Sequence, residues 1–216
     1  SGPAGQGYPQ VTAGPDGRLL GFPGDPVEAV EGACRGVFSG THVVEREVFE
    51  SLPAGVPCGI VDPVYRELIA AGLRVDAVPL AGAWFEVGTP SLYIDQQMEA
   101  MRREALMLAT EGLVRMGGGA YGSPHAHVEN ARPRPPYLLG AGCRIKQGAM
   151  VEACVLGDRS QVAAGASVRE CVLWENALVG NGCRLRRCIV MDGVSVAAGT
   201  EAEAVVFTPE GPVSFE

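Results

Sequence analysis

Between Tyr137 and Phe207 the sequence repeats with a step of seventeen residues, and that period constrains the fold more than any other feature. Ile145, Val162, Val179 and Val196 form one file at this step. Val151, Val168, Leu185 and Ala202 form a second, and Val155, Val172, Ile189 and Val206 a third. The cysteines Cys154, Cys171 and Cys188 keep the same register, as do the glycines Gly148, Gly165, Gly182 and Gly199 and the acids Asp158, Glu175 and Asp192. Within a unit the apolar positions fall about six apart, as from Ile145 to Val151, which is the hexapeptide spacing of a parallel β-helix. Each unit therefore predicts one coil of three short strands, with the aliphatic files pointing inward and glycine or polar residues at the corners. Coils stacked at about 4.8 Å turn equal columns into ladders through the interior. Units rich in Val, Gly and Cys carry no 3.6-residue stripe, so a helical repeat does not fit.

With 216 residues, 47% hydrophobic and 19% charged, the chain can bury a core and has room for two domains. Its net charge of −8 argues against nucleic acid or an anionic membrane as partner. No apolar run is long enough to span a bilayer and no signal-peptide pattern opens the sequence, so the expected location is cytoplasmic. The opening Ser-Gly-Pro-Ala, without a methionine, reads as a processed or cloned boundary. The cysteine count, seven, is odd, and stacked thiols with parallel Cβ vectors miss the geometry of a disulfide, so the ladder is read as reduced core. A zinc site would need a Cys-x-x-Cys pair or a histidine partner, and neither is present.

Upstream of the repeats, Tyr8–Thr12 and Arg18–Phe22 flank a Gly14-Pro-Asp-Gly17 turn and predict a hairpin in need of a sheet to join. Gly36–Val44 reads as a buried strand, Glu45–Leu52 as a short amphipathic helix, and Pro63–Ala71 as a helix stopped by Gly72. Leu73–Leu80 alternates as a strand does, and Ala83–Val87 is a second strand candidate. A long helix is expected from Ser91 to about Met116, with Met98, Met101 and Met107 as core rather than as a docking groove. The Gly- and Pro-rich stretch to Pro136 reads as a linker. The expected domains are 1–90, the helix 91–116, the linker 117–136 and the β-helix 137–216.

Phe38-Ser39-Gly40, Ile60-Val61-Asp62, Gly82-Ala83-Trp84-Phe85-Glu86-Val87-Gly88-Thr89-Pro90 and Tyr93 stand in an order and spacing that resembles the sugar-1-phosphate nucleotidyltransferases, most closely their mannose-1-phosphate guanylyltransferase-like branch. The resemblance implies part of a Rossmann-like α/β nucleotidyltransferase domain followed by a left-handed parallel β-helix. It implies transfer of a nucleotidyl group to a sugar 1-phosphate with release of pyrophosphate, the protein supplying positioning, positive charge and a Mg²⁺ ion. Carried over, Phe38, Ser39, Gly40, Trp84 and Asp25 would face the sugar, and Glu86 would replace the family's metal-binding aspartate.

Two departures weaken the catalytic side. The family's glycine-rich, arginine-bearing triphosphate loop has no counterpart here, and its Glu-Lys-Pro is replaced by Gly24-Asp25-Pro26, which lacks the cation. The chain alone is therefore expected to be inactive, with no catalytic residue of its own. The nucleotide-binding half would be supplied in cis or in trans, and sugar 1-phosphate or nucleotide sugar would be the ligand. A non-catalytic relative, with the β-helix as an oligomerisation or regulatory module, is the next reading. Arg184, Arg186 and Arg187 would offer a surface for a phosphate or a neighbouring copy. Hexapeptide acyltransferases use the same coils with a histidine as general base. His42, His125 and His127 all lie outside the expected repeats, and the last two are placed in the linker.

Overall fold

The computed structural model describes residues 8–50, 52, 55–82, 84–103 and 112–216. They fall into two compact units that divide between Trp84 and Phe85.

The first unit is a three-stranded antiparallel sheet with short helices. Gln10–Ala13 sits in the middle, paired with Leu19–Gly21 on one side and Cys34–Val37 on the other. The expected hairpin is present. Gly17, at φ +82°, closes its turn by donating to the Gly14 carbonyl at 3.0 Å. Val11, Leu19, Phe22, Val64 and Tyr65 make the core. A π-type turn over Val61–Tyr65 leads into the helix Arg66–Ala70, and a helix over Arg46–Glu50 precedes them.

Three expected strands differ. Cys34–Val37 carries the pairing, which ends at Val37, and the run toward Val44 turns at Gly40, where φ is +77°. Leu73–Leu80 is reduced to a single bridge between Arg18 and Asp76, with Val78 and Leu80 exposed. Pro79 has no N–H to extend that pairing. Residues 84–87 form no strand, and Ala83 lies outside the described residues. No parallel strand pair occurs among the described residues of this unit, so the structure does not show the Rossmann-like part.

The second unit is a parallel β-solenoid. One side stacks His127–Val128, Arg144–Ile145, Gln161–Val162, Leu178–Val179 and Ser195–Val196, each shifted by seventeen residues from the last. Met150–Leu156 bends at Ala153 and serves both other sides. Ser167–Arg169, Arg184–Arg186 and Glu201–Glu203 continue one, and Val172–Leu173, Ile189–Val190 and Val205–Thr208 the other. The antiparallel strand Gly211–Ser214 adds to Val205–Thr208 after the last coil.

Each corner has its own left-handed column. Gly142, Arg159, Asn176 and Gly193 hold φ between 56° and 67°. Gly148, Gly165, Gly182 and Gly199 form the second column, and Ala153, Glu170, Arg187 and Ala204, near 51°, the third. The corners fall six, five and six residues apart, which makes seventeen. In the coils from Arg159 on, each left-handed residue sends its N–H to the previous coil, as Arg187 N does to Arg169 O at 3.0 Å and Gly182 N to Ala164 O at 3.1 Å. That bond helps offset the cost, about 1 kcal/mol or more, of holding a side-chain-bearing residue there.

The files at Ile145 and Val151 point inward as expected. The third does not. Cys154, Cys171 and Cys188, with Leu156, Leu173 and Val190, fill the interior on that side. Val155, Val172, Ile189 and Val206 face outward between them, because neighbouring residues of a strand alternate faces. A helix covers them. It runs Pro90–Arg102, starts from Thr89, whose hydroxyl accepts from Leu92 N at 3.2 Å, and lays Ile94, Met98 and Met101 on that outer column. Met98 and Met101 are thus core, and Met107 lies outside the described residues. Asp95, on the helix, takes a two-pronged ion pair from Arg187 at 2.7 and 3.2 Å.

The expected helix end and linker also differ. Residues 104–111 lie outside the described ones. Val114–Gly117 is a strand that turns through Gly117-Gly118-Gly119, all at positive φ, into Ala120–Gly122. Ala120–Gly122 then pairs in parallel with Arg134–Leu139. The stretch read as a linker is therefore the first coil, one period ahead of the visible repeat.

The Tyr121 hydroxyl lies buried under the helix with no hydrogen-bond partner among the described residues. A buried donor without a partner costs about 1–3 kcal/mol. Tyr121→Phe is therefore expected to match or exceed the native melting temperature. A clear loss of stability would show that the hydroxyl has a partner.

Candidate functional site

The residues expected at a sugar site gather only in part. In the first unit Phe38 meets Phe22 edge-on at 5.9 Å, and Phe22 stacks on Tyr65 at 6.1 Å. His42 lies 5.1 Å from the Phe38 ring, and its Nδ1 is 2.7 Å from the Tyr65 hydroxyl. Ser39 Oγ accepts from Thr41 N at 3.4 Å, shaping the turn at Gly40. Asp25 is spoken for. One oxygen accepts from Phe22 N at 2.8 Å and the other from Arg66 Nε at 2.9 Å, so it works as a turn and ion-pair residue. Trp84 turns its ring against Tyr8, edge-on at 5.0 Å.

His42, Tyr65 and Arg66 belong to this cluster and were missed by the sequence reading. The signal for His42 was its place two residues beyond Gly40, on the same turn. Tyr65 and Arg66 carried none, because only the fold brings them beside Phe22.

Glu86 belongs to the second unit, where Oε1 accepts from Gly88 N at 3.0 Å. Among the described residues no three His, Cys, Asp or Glu side chains converge as a metal cage would require. The donor set around Glu86 does not fit a divalent ion.

On the solenoid the three arginines expected as an anion surface are neutralised. Arg184 pairs with Glu201 at 3.2 Å and Arg186 with Glu203, each one coil on. Arg187 pairs with Asp95 and lies 3.9 Å from Glu170. The acid column braces the first corner. Asp158 Oδ1 accepts from Ala141 N at 2.7 Å, Glu175 pairs with Arg159 at 3.0 Å, and Asp192 accepts from Asn176 at 3.1 Å.

The histidines change place. His125 stands one period before Gly142, whose N–H donates to the His125 carbonyl at 3.1 Å. His127 sits on a solenoid strand, exposed, beside Arg144 on the next coil. Ala126, His127, Val128, Glu129 and Arg144 line a shallow hollow of about 420 Å³, and Lys146 holds Glu129 at 2.7 Å.

All seven cysteines are free. Burial, followed by the Asp158 carboxylate, pushes the Cys143 thiol up to about 11. Burial also holds Cys171 well above its ordinary value, and the hydrogen bond with Cys171, then burial, does so for Cys188. Only Cys34 and Cys58 are exposed. A thiol-specific reagent on the native protein should therefore label two cysteines quickly and the other five only on unfolding. Fast labelling of a third would mean that the solenoid opens.

A family model described as GlmU-like, C-terminal hexapeptide matches residues 135–203, which is less than half of the chain. The C-terminal region is accordingly a left-handed β-helix of hexapeptide repeats. No curated protein matches the chain. Among solved structures it is similar to the acetyltransferase domain of PglB from Neisseria gonorrhoeae FA1090. The identity is 14%, over 55% of this chain and 67% of that one, with a TM-score of 0.34. The same domain in complex with acetyl coenzyme A gives 12% identity, 64% and 82% coverage and a TM-score of 0.35. Likeness at that level carries no argument about function. No helix among the described residues is long and apolar enough to cross a membrane.

Proposed function

We propose that this chain is a hexapeptide-solenoid transferase that moves an acyl group from a thioester to a sugar hydroxyl or amine, with His127 as general base. One observation carries the reading: the supposed linker is a coil, and it sets an exposed histidine on the solenoid beside Glu129 and Arg144. The GlmU-like match supports it. In this reaction His127 takes the proton from the acceptor as its oxygen or nitrogen bonds to the thioester carbonyl carbon. The carbon–sulfur bond then breaks, and the proton passes to the departing thiolate. Acetyl coenzyme A with a panel of sugars and amino sugars should release thiol only when an acceptor is present. His127→Asn should lower that rate about 10²-fold or more. Absence of acceptor-dependent thiol release from the native chain would sink the reading.

Nucleotidyl transfer is a second reading, favoured by the Gly88-Thr89-Pro90 turn that caps the helix and by the exposed Ser39–Gly40 turn. In that case the coding DNA upstream of Ser1 would encode the triphosphate loop, and the longer product would release pyrophosphate from a nucleoside triphosphate and a sugar 1-phosphate. A product that binds both but releases none would remove this reading. Under either chemistry we place the protein in a reducing, cytoplasmic setting, in keeping with its free thiols. We also take it to associate with copies of itself through the solenoid, which light scattering would show as a multiple of the chain mass.

A further inference from the structure

We propose that the acceptor taken at the His127 hollow carries a carboxylate near its reacting hydroxyl or amine, so that a sugar acid is preferred to a neutral sugar or a sugar phosphate. The proposal rests on the transferase reading above and adds the chemical class of its acceptor. Three features of the hollow lead to it.

The first is placement. His127 and Arg144 are register partners on neighbouring parallel coils. Ile145 is fully buried, so Arg144 beside it points outward, and its partner His127 shares that face. One strand spacing, about 4.8 Å, separates the two backbones. A small acceptor can therefore give its hydroxyl or amine proton to the imidazole while a carboxylate a few bonds away meets the guanidinium. The acceptor oxygen or nitrogen bonds to the thioester carbonyl carbon, the thiolate departs and takes up the proton, and the carboxylate is unchanged.

The second is charge. Arg134, Arg159, Arg169, Arg184, Arg186 and Arg187 each pair with a carboxylate. Arg144 has no such partner among the described residues. Lys146 and Glu129 neutralise each other at 2.7 Å. With His127 uncharged, as a general base is, the hollow carries one net positive charge on a chain of net charge −8. A carboxylate balances that charge, and its two oxygens match the planar guanidinium. A phosphate monoester carries about −1.5 to −2 near neutral pH and would leave negative charge in excess beside Glu129. A neutral sugar would leave Arg144 unpaired.

The third is size. A hollow of about 420 Å³ takes one small ligand. Ala126 and Val128 complete its lining and offer no charge, so an anionic group on the acceptor is directed to Arg144.

The test pairs binding with turnover on the intact chain. The chain has three histidines, so the His127 ring signal in NMR can be assigned by its loss in His127→Asn. At least one of glucuronate, galacturonate and glucosaminate should shift that signal, and more tightly than glucuronamide, glucosamine or glucose 1-phosphate. Arg144→Gln, a change at an exposed position, should weaken binding of the acid about 5- to 20-fold, the worth of a charge-assisted hydrogen bond, and leave glucuronamide unaffected. Arg144→Lys should restore part of the loss. Arg184→Gln removes the same charge from another side of the solenoid and should change nothing. The proposal is overturned if none of the acids perturbs His127, if acid and amide bind equally, if the 1-phosphate binds more tightly, or if Arg144→Gln keeps the preference. Thiol release with neutral sugars as readily as with acids would also overturn it and leave the transferase reading standing. Acid-selective binding without thiol release from any acceptor would remove that reading and keep the carboxylate site.

Discussion

Leu173→Ala should destabilise the protein by about 2–5 kcal/mol, read as a lowered midpoint in urea unfolding. Leu173 has no exposed surface and stands in a column between Leu156 and Val190, one coil to either side. The cavity left by truncation cannot close by collapse of the coil. The Leu173 carbonyl accepts from Gly157 N at 2.8 Å, and Trp174 N donates to the Val190 carbonyl at 2.9 Å, so the rungs hold their spacing. Leu178, in the same coil, is 42% exposed, and Leu178→Ala should stay within about 0.5 kcal/mol of the native protein. Equal losses from the two changes would refute the assignment of inward and outward positions.

Ile94→Asp should have a comparably large effect of a different kind. Ile94 has no exposed surface and faces the outward column of Val155, Val172, Ile189 and Val206. An unpaired carboxylate there is among the few changes that exceed about 4 kcal/mol. The helix would leave the solenoid before that charge was buried. Because each coil depends chiefly on its neighbours, the strand signal in circular dichroism should persist while helical signal falls and the uncovered face binds a hydrophobic dye. Asp95→Ala, one residue on, removes a partly exposed ion pair with Arg187 and should cost only about 1 kcal/mol or less. Loss of the strand signal in Ile94→Asp would show that the solenoid does not stand without its helix.

Those two positions mark where the sequence could and could not be read. The period of seventeen gave the coils, the corner glycines and two of the three apolar files, because a stacked coil asks the same residue type of the same place each time. It misassigned the third file, since Val155, Val172, Ile189 and Val206 are as aliphatic as the interior columns. What sets them apart is the helix laid over them. The first coil escaped notice because Ala126 and Val128, one period before Cys143 and Ile145, sit among glycines and prolines. In the first unit the hairpin was legible from its turn, whereas Leu73–Leu80 alternated as a strand and pairs only through the Arg18–Asp76 bridge.

The candidate sites follow the same division. Phe38, Ser39 and Gly40 could be named from local order, and they do share one turn. Asp25 could not be judged without Arg66, forty-one residues away, nor His42 without Tyr65, twenty-three away. The sequence by itself determined the solenoid, its period and its reduced cysteine ladder, because those depend on residues repeated at short, fixed range. Only the tertiary structure decided which apolar file the helix covers, which arginines are neutralised, and which histidines stand on a coil or beside a tyrosine. Those are contacts between segments far apart in the chain, where no local pattern records the partner.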